Sequence, residues 1–168
     1  FYSLTSTVTR RDALRYAGVI EAGYYLDNLY TEAIADGVHL PEPLLRLIHK
    51  VKGPDRVVLV TDAMRGAGMP DGKSVLGSIR DGVDVIIEDG VAKLPDRSSL
   101  AGSVSTTDRL VRTYMQKAGV ELLQAVRMMT LTPAEMMKIE DRKGSIAPGK
   151  DADIIIFDDN INVSMTMV

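Results

Sequence analysis

Cysteine is absent from the sequence, which removes disulfides, a thiolate nucleophile and cysteine-ligated metal sites. A reducing, cytoplasmic setting agrees with that composition. Histidine is almost as scarce, with only His39 and His49. A hydrolytic zinc site usually takes three protein ligands from histidine and carboxylate, so these two alone do not assemble one. No apolar run approaches the roughly 18 residues of a membrane span, and no signal peptide is visible. An excess of one charge is also lacking: 20 Lys and Arg face 23 Asp and Glu, for a net charge of −3 and a pI near 5.4. That balance argues against nucleic acid as the main partner, because phosphate backbones need clustered basic side chains. Repeats and low-complexity tracts are missing too. What remains, 45% hydrophobic and 26% charged residues, is the composition of a globular chain. Its 168 residues suit one ordinary domain but fall short of a complete (β/α)8 barrel, which usually takes roughly 250. Opening at Phe1 in mid-pattern, without Met, the chain reads as part of something longer.

The most informative stretch begins with the unbroken apolar run Val57-Val58-Leu59-Val60 and stops at Thr61-Asp62. A run apolar on both faces predicts a buried parallel strand. A carboxylate just beyond the carboxyl end of such a strand sits where open α/β sheets and (β/α) barrels carry their chemistry. Asp62 is therefore the candidate catalytic residue, set against the plainer reading of a turn or helix-cap aspartate. Upstream, residues 30–39 predict a short strand turning at Asp36-Gly37. Residues 41–51 predict an amphipathic helix closed by Gly53-Pro54. Strand, helix and parallel strand make one βαβ unit.

Further along, residues 83–94 predict a β-hairpin with Asp89-Gly90 at its turn. Helices are expected from an N-cap at Ser105 to about residue 118, and over about residues 120–129. A third is expected behind Thr132-Pro133-Ala134-Glu135, read as N-cap, proline at the first helical position and capping-box glutamate. Ile154-Ile155-Ile156-Phe157 predicts a short buried strand, and residues 163–168 a last one. His49, near the end of the 41–51 helix, reads as a solvated residue favourable to the helix dipole. Gly66 and Gly68 are too weakly spaced to mark a phosphate loop.

Four segments carry a family resemblance: Ile34-Ala-Asp-Gly-Val-His-Leu-Pro41, Leu59-Val-Thr-Asp-Ala-Met64, Ser99-Leu-Ala-Gly-Ser103 and Arg142-Lys-Gly-Ser-Ile-Ala-Pro-Gly-Lys-Asp-Ala-Asp153. The last is shared by many amidohydrolases; the first two together are much narrower. The chain as a whole resembles the C-terminal half of the N-acetylglucosamine-6-phosphate deacetylases, in the metal-dependent amidohydrolase superfamily. The resemblance implies an α/β fold: the C-terminal part of a (β/α)8 barrel plus strands of a small β-sandwich domain. Residues 1–140 would hold barrel strands seven and eight, a hairpin insertion near 77–94 and the following helices. Residues 141–168 would belong to the sandwich. Also implied are hydrolysis of the N-acetyl group of the amino-sugar phosphate, a divalent metal (zinc or similar) whose ligands lie outside this chain, and a homodimer. The 168 residues alone are then expected to be inactive and prone to aggregate, with two barrel strands left short of cover.

By that resemblance Asp62 is the base that takes a proton from the attacking water and hands it to the leaving amine. His39 contacts a sugar hydroxyl or the acetyl oxygen, and Asp36, Gly37 and Val38 line the same pocket through backbone groups. Leu100, Ala101 and Gly102 touch the sugar through their backbone. Arg11 resembles the arginine that grips phosphate across the subunit boundary. The usual Gly-Arg-Glu-Pro-Gly appears here as Arg10-Arg-Asp-Ala-Leu14, so Arg10 and Arg15 compete for that role. Ser3 and Leu4 stand where relatives carry Asn-Ala, and serine shortens the reach of that contact. Two other functions compete: a non-catalytic sugar-phosphate-binding or assembly module, and an amidohydrolase acting on cyclic amides.

Overall fold

The computed structural model describes residues 6–168. Ser3 and Leu4 lie outside the described residues. The first elements form a two-stranded hairpin, β1 (Thr9–Arg11) and β2 (Leu14–Tyr16), followed by helix α1 (Val19–Tyr25). Asp12 and Ala13 turn the hairpin, both with positive φ (47° and 66°). The sequence signal here was weak because neither turn residue is glycine or asparagine, the usual marks of such a turn.

The βαβ unit follows as expected. β3 (Thr31–Ile34) pairs in parallel with β4 (Val57–Val60), and α2 (Glu42–Lys52) connects them. Alternation sends Ala33, Val57 and Leu59 to one face, where they meet Leu45 and Ile48 of α2. Ile34 and Val58, on the other face, are buried as well, so the missing cover expected there is not what exposes apolar surface. Gly53 caps α2 with φ +67°.

The middle of the chain departs from expectation by one strand. The hairpin of β6 (Val83–Glu88) and β7 (Val91–Lys93) turns at Asp89-Gly90 and is joined by β5 (Gly72–Leu76) in an antiparallel three-stranded sheet. Val85, Ile87 and Ala92 of this sheet pack with Met64 and Ala101 in a small second core.

Three helical segments then complete the main core. α3 (Thr107–Thr113) passes into a π-helical turn (Tyr114–Ala118), and α4 (Leu122–Met129) and α5 (Leu131–Met137) follow. Two cap expectations need correction. The N-cap of α3 is Thr106, because Ser105 is buried one step earlier, its amide held by the Ser103 hydroxyl at 3.0 Å. The N-cap of α5 is Thr130 rather than Thr132. The hydroxyl of Thr132 donates to the Pro54 carbonyl at 2.8 Å, and Glu135 is engaged by Arg127 at 3.1 Å, so neither is free to form a capping box.

The chain ends in a ribbon of β8 (Ile154–Phe157) and β9 (Val163–Met167). β8 is not buried as expected: Ile155 and Ile156 point to opposite faces and each is 49% exposed. Only one other strand flanks it among the described residues. The long motif ahead of β8 closes on itself. The Asp151 amide donates to the Arg142 carbonyl at 3.0 Å, and Lys150 Nζ donates to the Ser145 hydroxyl at 2.7 Å and to the Glu140 carbonyl.

Candidate active site at the carboxyl ends of β3 and β4

The parallel register pairs Ile34 with Val60. Two residues beyond that pair the strands release Asp36 and Asp62, so both predicted acids leave the sheet at the same end. The two carboxylates differ sharply in surroundings. Asp36 is buried, whereas Asp62 is exposed and its side chain makes no hydrogen bond or ion pair among the described residues. Asp62 also adopts φ +48°, a left-handed conformation that aspartate tolerates better than most side chains.

The third segment arrives through backbone pairing. The Ser103 amide donates to the Asp62 carbonyl at 3.1 Å, and the Met64 amide donates to the Ser103 carbonyl at 2.8 Å. Ala63 and Ser103 form a parallel bridge, which extends β4 by a step and carries Leu100, Ala101 and Gly102 to the Asp62 turn. From the other side, the Ala101 amide donates to the Ala92 carbonyl at 2.9 Å. Gly102, with φ +82°, closes against Met64, where an added Cβ would meet that side chain at 3.4 Å. Gly66 is structural in the same way: its Cβ would lie 2.2 Å from Ile87 Cδ1.

Around His39 the loop is an aspartate-centred turn. Asp36 Oδ1 accepts from the amides of Val38 at 2.9 Å and His39 at 2.8 Å, and Oδ2 lies 2.7 Å from His39 Nδ1. Burial pushes the Asp36 carboxyl up, but the His39 ring and the two backbone donors together outweigh it and hold the group below the usual carboxylate range. The Asp36 side chain thus organises the loop that carries His39. Gly37, at φ +77°, lets the chain turn and offers its carbonyl to Lys117 Nζ at 3.0 Å. An added Cβ on Gly37 would meet that same Nζ at 2.7 Å. Sequence reasoning missed Lys117, which lies 80 residues away on the π-helical turn; no local pattern connects the two.

His49 also differs from expectation. Its ring is edge-on to Tyr114 at 6.0 Å and its Nδ1 is buried without a partner among the described residues, because α2 packs on the π-helical turn there. Burial pushes its pKa below the ordinary 6.5.

The structure does not bring every candidate together. Arg11, Arg10 and Arg15 are exposed on the β1–β2 hairpin, a separate sheet from β3–β4, and the Arg11 guanidinium lies over the Tyr16 ring at 5.6 Å. A hollow of about 560 Å3 lies between α4, α5 and β8, lined by Met129, Ala134, Met137 and Phe157 among others, and none of the described candidate site residues lines it. Among the described residues no cluster of three or more His, Cys, Asp or Glu side chains is placed to hold a metal ion. The residues present therefore do not fit a self-contained metal centre. They supply a solvent-facing carboxylate, an oriented imidazole and a backbone loop at one sheet end.

Comparison with known proteins places this arrangement. Over 153 residues the chain is 34% identical to an N-acetylglucosamine-6-phosphate deacetylase of Lysinibacillus sphaericus, covering 91% of this chain and 38% of that protein. It is likewise 34% identical over 154 residues to an N-acetylgalactosamine-6-phosphate deacetylase of Escherichia coli O157:H7, covering 92% of this chain and 39% of that one. The chain thus spans about two-fifths of the length of these curated relatives. Its fold matches the crystallised N-acetyl-D-glucosamine-6-phosphate deacetylase of Mycobacterium smegmatis in complex with N-acetyl-D-glucosamine-6-phosphate, with a TM-score of 0.80 at 30% identity. That match covers 90% of this chain and 39% of the other. Residues 11–168 match the amidohydrolase family, and with the strand-end carboxylate and its neighbouring loops they make the chain a member of that family.

Proposed function

We propose that this chain forms the base-carrying and sugar-binding part of a deacetylase that releases acetate from N-acetylated amino-sugar 6-phosphates. The observation that carries the reading is the delivery of Asp62, the Asp36–His39 pair and the 100–102 loop to one end of the β3–β4 sheet. Relatives at 34% identity bear the names of two such deacetylases, for the glucosamine and galactosamine epimers. In this reading β3 and β4 are barrel strands seven and eight, residues 1–140 belong to the barrel, and residues 141–168 belong to a small β-sandwich.

Amide hydrolysis needs a base for the attacking water, support for the charge growing on the acyl oxygen, and a proton for the leaving amine. Asp62, exposed and without a side-chain partner among the described residues, takes the proton from water and returns it to the amine nitrogen. His39 and the backbone of Leu100, Ala101 and Gly102 hold the sugar. Arg11 or its neighbours Arg10 and Arg15 grip the phosphate, a task suited to the planar fork of a guanidinium. The family resemblance implies that this grip is made across the interface of a homodimer. Ser3 and Leu4 are assigned to the same phosphosugar. Amidohydrolases generally use a divalent metal; this chain's residues do not hold one by themselves, and no step here is routed through it.

The test is acetate release from N-acetylglucosamine 6-phosphate and N-acetylgalactosamine 6-phosphate by the full-length protein. Asp62→Asn is expected to lower kcat by about 100- to 10,000-fold, with KM little changed. Turnover undiminished in that variant overturns the role of Asp62. Binding without turnover by the native protein marks a non-catalytic module instead.

A further inference from the structure

The two oxygens of Asp36 do different work. Oδ1 receives the amides of Val38 and His39 at 2.9 and 2.8 Å, closing the turn. Oδ2 faces His39 Nδ1 at 2.7 Å. An ionised carboxylate only accepts, so the short contact requires a proton on Nδ1. A neutral imidazole carries a single ring proton; committed to Nδ1, it leaves Nε2 as a bare acceptor. That Nε2 makes no hydrogen bond among the described residues. The geometry is held from a second side, because Lys117 fixes the Gly37 carbonyl and denies the loop an easy relaxation.

We propose that Asp36 is a positioning residue that sets the tautomer of His39, so that the neutral ring meets its substrate at Nε2 as an acceptor of a hydroxyl hydrogen bond. The proposal rests on the sugar-phosphate reading of the site and chooses between two contacts the sequence left open. A sugar hydroxyl can donate to Nε2. The acetyl oxygen has no proton to give and is not a partner of the neutral ring.

Substitution by asparagine makes a sharp test. The two backbone amides demand an oxygen at the Oδ1 position, so Asp36→Asn turns its NH2 towards His39 Nδ1. An amide nitrogen donates, and the ring must then carry its proton on Nε2. The experiment records the ring 15N shifts of His39 in the full-length protein at a pH where the ring is neutral, with His39→Gln identifying the resonances. Expected are a protonated Nδ1 in the native protein and a protonated Nε2 in Asp36→Asn. The variant's kcat/KM for the amino-sugar phosphate should fall between about 10- and 100-fold, mostly through KM. A native ring protonated on Nε2, or a folded variant whose ring proton stays on Nδ1, overturns the proposal. If the variant does not fold, the native tautomer alone decides. Inversion of the ring proton in a protein that neither binds nor hydrolyses amino-sugar phosphates upholds the positioning role and removes the sugar reading alone.

Discussion

Where α2 packs on the π-helical turn, the His49 ring loses water and gains an aromatic edge, but its buried Nδ1 has no partner among the described residues. Taking on a proton there is costly, which is why burial pushes the pKa below 6.5. The unfolded chain binds that proton first as pH falls. The neutral ring's contribution to stability is therefore complete above about pH 6.5 and declines below it. Unfolding midpoints measured between about pH 5 and 8 should fall more steeply for the native chain than for His49→Leu; parallel profiles would refute the assignment. Asp36 adds an acid-side loss of its own at lower pH, since a carboxyl held below its ordinary 3.8 contributes above that value and stops contributing once protonated. At this scale the sequence was legible for Asp62 and His39, whose positions follow from strand ends. It was not legible for His49, because helix periodicity shows which face is polar but not what later segment lands on it.

Element by element, local patterns found β3, α2, β4, the β6–β7 turn and β9, because apolar periodicity and glycine punctuation act within a few residues. They failed where a long-range partner took the capping side chain. Thr132 shows this directly: its hydroxyl spends its hydrogen bond on Pro54, tying α5 to the end of α2. Thr132 is fully buried, so Thr132→Val keeps the shape and leaves the Pro54 carbonyl unsatisfied. The expected loss is about 1–2 kcal/mol, read as a lower denaturant midpoint. A midpoint unchanged from the native protein would mean that the tie contributes nothing. β5 escaped notice because Gly72-Lys73-Ser74 carries none of the apolar alternation that marks a strand; its pairing with β6 supplies the order its own sequence does not.

For the whole molecule, exposed apolar surface is the main tension. Part of it lies on the β8–β9 ribbon, where Ile155, Ile156, Val163, Met165 and Met167 are each more than 40% exposed. A two-stranded ribbon with open edges and apolar residues on both faces is a template for further strands. Residues 1–168 prepared alone are expected to self-associate with rising concentration, and replacing Ile155 and Met165 by threonine should reduce it. Sedimentation showing a single monomeric species for the native sequence at every concentration would contradict this. The identity of the family was legible in four short motifs, whereas the uncovered ribbon was not, since burial of β8 depends on neighbours no run of isoleucines specifies.

The parallel bridge between Ala63 and Ser103 makes the β5–β7 sheet more than an ornament on the strand end. The same stitch that carries the 100–102 loop also supplies a donor for the Asp62 carbonyl and an acceptor for the Met64 amide. An engineer who trims or exchanges that sheet between family members would therefore be retuning the angle at which Asp62 leaves the strand end, and chimeras spliced inside residues 72–103 should be less forgiving than those joined in the segment beyond α5.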